Sequence, residues 1–237
     1  MSRLLGQAVT VVGASSGIGL ATAKRAALEQ ARVSMLSRSQ SKLQTAAAEL
    51  PPSVRTRALD MLDRTAVAAA ATWLGEIDHL VLTAVADETA SCAPVAELTA
   101  EQLERSFDKL RGYTNVISAV ARQISVSGSI TMLSGASALK PPPGFAALAA
   151  AAASIEGFAR ALARELAPIR VNVIMPGVVD TPIHQASRAE TKGWAESNLP
   201  VRYFGQPADI ADAIMAVATN RYITGQTLVI DGGLTRL

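Results

Sequence analysis

The sequence has one cysteine, two histidines and little excess charge, and each of these scarcities excludes a class of protein. A single thiol, Cys92, cannot form an internal disulfide, and His79 and His184 are too few for a zinc cluster. The net charge is only +2, from 22 Lys and Arg against 20 Asp and Glu, and no stretch concentrates the basic residues. We therefore expect no metal site, no nucleic-acid partner and a reducing environment.

Long hydrophobic runs are also missing. The most apolar stretch, Phe145 to Ile155, is mostly alanine and is shorter than the ~20 residues of a membrane-spanning helix. The N-terminal residues lack the apolar core and cleavage site of a secretory signal. Hydrophobic residues nevertheless make up 49% of the chain and charged residues 18%, which is typical of a globular protein. The expectation is a cytoplasmic protein that does not bind a membrane.

Short apolar runs alternate with amphipathic stretches along the chain. Ala8–Val12 is a nearly continuous apolar run that ends at Gly13, and residues 18–30 follow with helical periodicity. Further strands are predicted at 32–36, 54–59, 79–82, 129–133, 170–174 and 227–230, with helices at 41–50, from 64, at 103–124 and at 146–166. The alternation predicts a doubly wound α/β fold, a Rossmann-type parallel sheet flanked by helices. Because no linker or composition break divides the chain, residues 1–237 are expected to form a single domain.

Three glycines join the first predicted strand to the first helix with the spacing Gly-x-x-x-Gly-x-Gly. Gly13 allows a tight turn, Gly17 lets the backbone approach a pyrophosphate, and Gly19 lets the helix pack closely on the sheet. Free N–H groups at the start of a helix attract phosphate oxygens. The residues predicted here to contact a dinucleotide are Gly13, Ser15, Ser16, Gly17, Ile18 and Gly19.

This glycine spacing and a series of later segments resemble the short-chain dehydrogenase/reductase family over nearly the whole chain. The matching segments include Asp60-Met61, Ile77-Asp78-His79-Leu80-Val81, Arg170-Val171-Asn172, Pro176-Gly177 and Asp231-Gly232-Gly233. The resemblance implies a nicotinamide dinucleotide, with Asp60 and Met61 at the adenine. It also places Thr83, Ala84, Val179 and Thr181 on the cofactor. For Thr181, a helix cap ahead of Pro182 is an equally open interpretation.

The end of the second predicted strand bears on which nicotinamide cofactor binds. An NAD-selective site would place Asp or Glu there to bond the ribose hydroxyls. This chain has Ser37-Arg38-Ser39, in which a guanidinium and two hydroxyls can pair with a 2′-phosphate. The prediction is NADP(H), the alternative being that Arg38 is a solvated loop cation.

The resemblance fails at the residues that carry the family's chemistry. Ordinary members use a Ser, a Tyr, a Lys four residues after the Tyr, and an Asn on the preceding long helix. The Lys ammonium lowers the pKa of the Tyr so that it can exchange a proton near neutral pH. The corresponding positions here hold Gly135, Leu148, Ala152 and Lys109. The family's Asn-Asn-Ala-Gly turn is likewise replaced by the residues from Leu82 to Val85.

Two residues are candidates for a replacement catalytic group. Lys109 would bring a cation into the wall of the active site and could stabilise an oxyanion. It lies about 200° round the predicted helix from Phe107, so simple solvation is the competing interpretation. Ser134 is next to the missing serine and could turn into the site, although serines at strand ends often form turns. The two histidines have other interpretations. His184 lies in the segment that forms a lid over the substrate in relatives. His79 is interpreted as a residue that packs within a strand.

Three classes of function remain compatible with this pattern. The first is an NADP(H)-dependent oxidoreductase that acts on a small carbonyl, imine or related molecule with a non-standard proton donor. The second is a nucleotide-binding pseudoenzyme or scaffold subunit. The third is a non-redox isomerase or cyclase that uses the vacated pocket. In each case we expect a homodimer or homotetramer that associates through the helices at 103–124 and 146–166.

Overall fold

The computed structural model describes residues 3–84 and 92–236, so Val85 of the altered turn lies outside the described residues. The N-terminal half alternates strands and helices because each apolar run is followed by a turn and an amphipathic stretch. Its elements are β1 (Ala8–Val12), α1 (Gly17–Leu28), β2 (Arg32–Ser37), α2 (Gln40–Ala47), β3 (Arg55–Ala58), α3 (Arg64–Leu74) and β4 (Ile77–Leu82). These elements match the predicted ones, with small differences at their ends.

The C-terminal half departs further from the prediction. It contains α4 (Ala100–Ser106), α5 (Asp108–Val120), β5 (Ile124–Leu133), α6 (Ala146–Glu165), β6 (Arg170–Pro176), α7 (Arg188–Asn198), α8 (Pro207–Thr219) and β7 (Thr227–Ile230). The single helix predicted over 103–124 is wrong. A capping box of Thr99 and Gln102 begins α4, Phe107 interrupts the helix with a ψ of 2°, and Ile124 already belongs to β5. The helices α7 and α8 have no counterpart among the predicted elements.

The seven strands form one sheet in the order β3-β2-β1-β4-β5-β6-β7, and every neighbouring pair is parallel. Helices cover both faces. One hydrophobic core lies between the sheet and the group α3, α5 and α6, and a second lies against α1, α2 and α8. The predicted doubly wound α/β fold is therefore confirmed.

Arg170, at the start of β6, fixes α8 to the sheet. Its guanidinium is buried and donates to the backbone carbonyls of Val217, Ala218 and Asn220 at the end of that helix. The last carbonyls of a helix have no partner within it and carry partial negative charge. One arginine therefore satisfies and neutralises the end of α8.

His79 lies in β4 as part of a buried polar network. Its Nδ1 is 2.8 Å from Ser129 Oγ and its Nε2 is 2.9 Å from Gln7 Oε1. Burial, reinforced by the positive charge of Arg170, lowers the pKa of His79 to about 4. The imidazole is therefore neutral near pH 7 and holds neighbouring strands together, in keeping with the packing role expected for it.

The two edges of the sheet differ in chemistry. The edge strand β3 carries Arg55 and Arg57, whose guanidinium carbons lie 4.4 Å and 5.7 Å from the centre of the Trp73 ring. The opposite edge strand, β7, has the uncharged sequence Thr-Leu-Val-Ile, and all four of its residues are half-buried. Charge is thus concentrated at one edge.

Among the described helices, α6 is the one that is long and apolar enough to cross a membrane by length and composition. A core helix of a soluble protein passes the same test, and Ala151, Ala152 and Ile155 of α6 are packed inside the protein. The expectation that the protein does not bind a membrane remains a prediction.

Candidate functional site

A cleft of about 680 Å³ opens at the carboxyl ends of the central strands. Val12, Leu82 and Ser37 end β1, β4 and β2, and the residues that follow them form the cleft wall. The strand order reverses direction between β1 and β4. In doubly wound sheets, ligands bind in the crevice at this switch point.

All the residues predicted to bind the nucleotide except Val179 line this cleft. They are Gly13, Ser15, Ser16, Gly17, Ile18, Gly19, Ser37, Arg38, Ser39, Asp60, Met61, Thr83, Ala84 and Thr181. Val179 is instead 4% exposed and packs in the hydrophobic core, where its backbone forms a bridge with Gly205. The valine side chain is therefore packed among core residues, and the assignment of Val179 to the cofactor site stays a prediction.

The glycines of the first turn are required by close contacts. A Cβ added at Gly13, which has a φ of 97°, would lie 2.5 Å from the Ala84 nitrogen. A Cβ at Gly19 would lie 2.2 Å from the Gly13 oxygen and 2.5 Å from Thr83 Oγ1. Gly17, with a φ of 53°, would place a Cβ 3.2 Å from Thr181 Cγ2. The turn can therefore approach α1, β4 and the Thr181 loop only because it lacks side chains.

The start of α1 is open to an anion. Ser16 occupies the N-cap position with an extended φ of −165°, and within the described part of the chain its side chain caps none of the helix N–H groups. The first turn of α1 contains no acidic residue. Unsatisfied N–H groups at the positive end of a helix dipole bind phosphate oxygens well. This turn therefore fits the pyrophosphate of a dinucleotide.

Two cations line the cleft beyond β2. Arg38 was predicted there, and Lys42 joins it from the first turn of α2. Ser39 Oγ accepts the Lys42 N–H at 3.3 Å and so caps that helix. Ser37 Oγ is buried at the cleft and, among the described residues, has no hydrogen-bond partner. An orphaned hydroxyl beside two cations fits a phosphorylated ribose.

The residues after β3 form the next part of the wall. Asp60 Oδ1 accepts the N–H of Leu62 at 2.9 Å, and Met61 is held against α5. Asn115 donates to the Met61 carbonyl at 3.1 Å, and a Cβ added at Gly112 would lie 2.4 Å from Met61 Cγ. This packing positions the residues that the family resemblance assigns to the adenine.

Arg105 and Asp108 also line the cleft, from either side of the break between α4 and α5. Sequence reasoning missed both residues. Both residues reach the cleft because the helix is interrupted at Phe107. The apolar residues of the sequence keep helical spacing across Phe107, so the sequence does not indicate the interruption.

The middle of the cleft is fixed by two buried hydroxyls. Thr83 Oγ1 donates to the Val12 carbonyl at 2.9 Å and so joins β4 to β1. The Tyr113 hydroxyl, on α5, lies 3.2 Å from the Ala84 oxygen and 3.4 Å from the Leu133 oxygen. Tyr113 was not predicted as a site residue.

The segment after β6 covers the other end of the cleft through Thr181, Pro182 and Ile183. Thr181 precedes a 3₁₀ turn at Pro182–Ser187, but among the described residues its side chain makes no capping hydrogen bond. Thr181 nevertheless holds the N-cap position before Pro182, and it also lines the cleft, so both interpretations of this residue stay open.

His184 belongs to the same turn and is half-buried, with its ring edge-on to Phe204 at 6.2 Å. Burial lowers the pKa of His184, and the neighbouring Asp180 opposes that effect. Asp180 itself binds Arg188 through both carboxylate oxygens, and this hydrogen bonding lowers the pKa of the Asp180 carboxyl.

Two of the positions expected to carry the family's chemistry are buried and apolar. Leu148 and Ala152 are buried on α6. Gly135 has an extended φ of −167°, and an added Cβ would come no closer than 3.5 Å, to Ser137 Oγ. Ser134 Oγ donates to the Ala152 carbonyl at 2.7 Å and does not line the cleft. The Ser134 hydroxyl is thus directed at the backbone of α6, whereas the prediction turned it towards a substrate.

Lys109 lies on the buried face of α5 and is 8% exposed. The solvated interpretation of this lysine is therefore wrong. Lys109 does not belong to the described lining of the nucleotide cleft. It precedes Tyr113 by one helical turn on the same face of α5, and both residues are buried.

Comparison with known proteins identifies the class that this fold and cleft define, a Rossmann-type dinucleotide-binding oxidoreductase. The family described as enoyl-(acyl carrier protein) reductase matches residues 13–235. A 3-oxoacyl-(acyl-carrier-protein) reductase of Thermotoga maritima is 32% identical over 250 residues, 98% of this chain and 99% of the relative. The chain belongs to the short-chain dehydrogenase/reductase family.

Two solved structures are relevant to the site. A small-chain dehydrogenase in complex with NADPH has a TM-score of 0.81 at 30% identity and covers 97% of this chain, with 99% of its own chain matched. A short chain oxidoreductase from Pseudomonas aeruginosa PAO1, described as containing an atypical catalytic center, has a TM-score of 0.87 at 27% identity. That match covers 98% of both chains.

Proposed function

We propose that the protein is an NADP(H)-dependent oxidoreductase that acts on a small carbonyl, imine or related substrate with a non-standard proton donor. When bound, the nicotinamide supplies or accepts the hydride. The protein's residues bind and orient it: the glycine turn and the start of α1 hold the pyrophosphate, and Thr181 covers the turn. The observation that supports this proposal is a single cleft lined both by the glycine turn and by the two cations Arg38 and Lys42.

The preference for NADP(H) rests on Arg38, Lys42 and Ser37. Both cations line the cleft past the end of β2, where a carboxylate would select NAD. The orphaned Ser37 hydroxyl adds a hydrogen-bonding group at the same place. The structural relative in complex with NADPH is consistent with this choice.

The test of this preference is Arg38→Gln, with Arg32→Gln at the opposite end of β2 as the matched control. A charge-assisted phosphate contact contributes roughly 1.5–3 kcal/mol, so the NADPH Kd should rise by about 10–150-fold while the NADH Kd changes little. Fluorescence titration measures both constants. Equal weakening of NADPH and NADH by Arg38→Gln would show that Arg38 only supports the loop.

The non-standard proton donor is proposed because Gly135, Leu148 and Ala152 stand where the family resemblance expects Ser, Tyr and Lys. The relative described as having an atypical catalytic center supports the idea that the fold accommodates such a site. Lys109 is our candidate cation, since it is buried on α5 one helical turn before Tyr113, whose hydroxyl reaches the Ala84 and Leu133 carbonyls.

Turnover is tested with a panel of carbonyl, imine and activated alkene substrates, followed at the NADPH absorbance band. With a substrate in hand, Lys109→Met is expected to abolish turnover and to leave NADPH affinity and the far-ultraviolet circular dichroism unchanged. Unaltered activity in Lys109→Met would remove this residue from the site.

A nucleotide-binding scaffold without turnover is the second candidate. The observation that favours it is the burial of Leu148 and Ala152 where the family resemblance expects Tyr and Lys, together with the hydroxyl of Ser134 that is directed at the α6 backbone. Tight NADPH binding with no oxidation across the substrate panel would select this candidate. A substrate converted without any change in NADPH absorbance would instead favour a non-redox isomerase or cyclase.

We also propose association into a homodimer or homotetramer through α5 and α6. The exposed side of α6 carries Ala146, Ala150, Ala153 and Gly157, whose small side chains allow another helix to approach closely. Sedimentation at micromolar concentration tests this proposal, and a species of 24.6 kDa alone would contradict it.

A further inference from the structure

The helix α5 contacts the wall of the nucleotide cleft at two separate places. One contact is made by Tyr113 and the other by Asn115 with Gly112. These residues follow one another along the helix, yet they reach strands on opposite sides of the switch point.

The Tyr113 contact joins two neighbouring strands. Its side chain is fully buried, and its hydroxyl lies within hydrogen-bond distance of the Ala84 and Leu133 carbonyls. Leu133 ends β5 and Ala84 follows β4, and both residues line the cleft. One hydroxyl therefore sets the spacing between two strand ends that form part of the cleft floor.

The second contact lies on the opposite side of β1 from the first, at the residues that follow β3. Asn115 Nδ2 donates to the Met61 carbonyl, and Gly112 has no side chain to displace Met61 from the helix. Met61 follows β3, the edge strand of the half-sheet β3-β2-β1.

The two contacts correspond to the two halves of a dinucleotide. In a doubly wound sheet, each half of the ligand lies over one half of the strand order. Arg38, Asp60 and Met61 are on the adenosine half, over β1, β2 and β3. Ala84 and Leu133, beyond the switch point on β4 and β5, are on the nicotinamide half.

We propose that Tyr113 is a positioning residue for the nicotinamide half of the cofactor, acting through the Ala84 and Leu133 carbonyls. The inference rests on the proposed binding of NADP(H). The tyrosine touches strand ends and acts on the cofactor only by fixing the floor beneath it. Because the ring is fully buried against the core, it can hold that floor at one spacing before the ligand arrives, which lowers the cost of binding.

The experiment compares NADPH with 2′,5′-ADP, which contains the adenosine half alone. Tyr113→Phe keeps the ring and removes the hydroxyl, and we expect it to raise the NADPH Kd by about three- to tenfold and to leave the 2′,5′-ADP Kd unchanged. Asn115→Ala is expected to raise both constants, because NADPH contains the adenosine half. Tyr222→Phe is the matched control, since Tyr222 is 99% exposed, and both constants should stay as in the unmodified protein.

Equal weakening of both ligands by Tyr113→Phe, or no weakening of either, would overturn the inference. Failure of the unmodified protein to bind NADPH and 2′,5′-ADP would instead overturn the proposed function. If Tyr113→Phe does not fold, ring-labelled tyrosine in the unmodified protein provides the second measurement, because the chain has only 3 tyrosines to assign. The Tyr113 resonance should shift with NADPH and stay fixed with 2′,5′-ADP, and a resonance that responds to neither ligand would refute the role.

Discussion

Adding one methyl group at Gly19 is expected to damage both the fold and the nucleotide site. The new Cβ of Gly19→Ala would lie 2.2 Å from the Gly13 oxygen and 2.5 Å from Thr83 Oγ1. Neither neighbour is free to move, since Thr83 Oγ1 is bonded to the Val12 carbonyl and the Gly13 N–H is bonded to Leu36 at 2.7 Å. Ordinary contact requires about 3.5 Å, so α1 must withdraw from the turn by about 1 Å.

The cost of that withdrawal can be bounded. Overpacking of a filled interior costs about 1–3 kcal/mol, which exceeds the ~1 kcal/mol that alanine gains over glycine in a helix. The first-turn N–H groups of α1 move with the helix, and the loss of one charge-assisted phosphate bond weakens binding by about tenfold or more. We therefore expect lower stability and a clear loss of NADPH affinity.

Gly193→Ala in α7 is the matched control. Gly193 is exposed, and no atom of the described residues lies within 4 Å of its added Cβ. This variant should gain about 0.5–1 kcal/mol of stability from helix propensity and bind NADPH as the unmodified protein does. Urea denaturation measures the stability of both variants, and fluorescence titration measures their affinity. Undiminished NADPH affinity in Gly19→Ala would refute the close-packing argument.

Three further perturbations test other parts of the structure. Arg170→Met removes the donors at the end of α8 and should lower the unfolding free energy by about 3 kcal/mol in urea titrations; a loss below about 1 kcal/mol would contradict the capping role. Because the pKa of His79 falls from 6.5 to about 4 on folding, the unfolded state binds more protons between these values. The unfolding free energy should therefore fall by up to about 3 kcal/mol as the pH drops through that window, and His79→Gln should flatten the dependence; an unchanged slope would exclude His79 as its source. Lys42→Gln should weaken NADPH by about three- to tenfold and spare NADH, and equal effects on both would place Lys42 away from the 2′-phosphate.

The parallel sheet could be predicted because its strands are buried on both faces. All five residues of β1 are buried, and such a strand appears in the sequence as a continuous apolar run. The break at Phe107 could not be predicted, because Leu103, Phe107 and Leu110 keep helical spacing across it. A change in backbone direction at one residue does not alter the sequence spacing between the apolar residues on either side of it, so the sequence pattern does not reveal the change. The mostly polar helix α7 was missed because it buries only Ala195 and so has no apolar stripe.

The glycine turn could be predicted because its spacing is contained in seven consecutive residues after a buried strand, although the atoms for which the glycines make room, in Thr83, Ala84 and Thr181, belong to distant segments. The position of Lys109 could not, because its angle was measured from Phe107, which lies outside α5. Measured from Tyr113, one turn further along α5, Lys109 falls on the buried face. Tyr113 itself gave no signal, since its partners Ala84 and Leu133 are brought together only by the sheet.

The unequal edges of the sheet bear on how the protein behaves when it is crowded. A strand edge offers unpaired N–H and C=O groups that can template the addition of another chain, and charged side chains discourage this pairing. Arg55 and Arg57 place such charges on β3, and their guanidinium groups lie over the Trp73 ring. The uncharged β7 has no such protection in its own sequence. Growth of the sheet into an aggregate would therefore start at β7 and be blocked at β3.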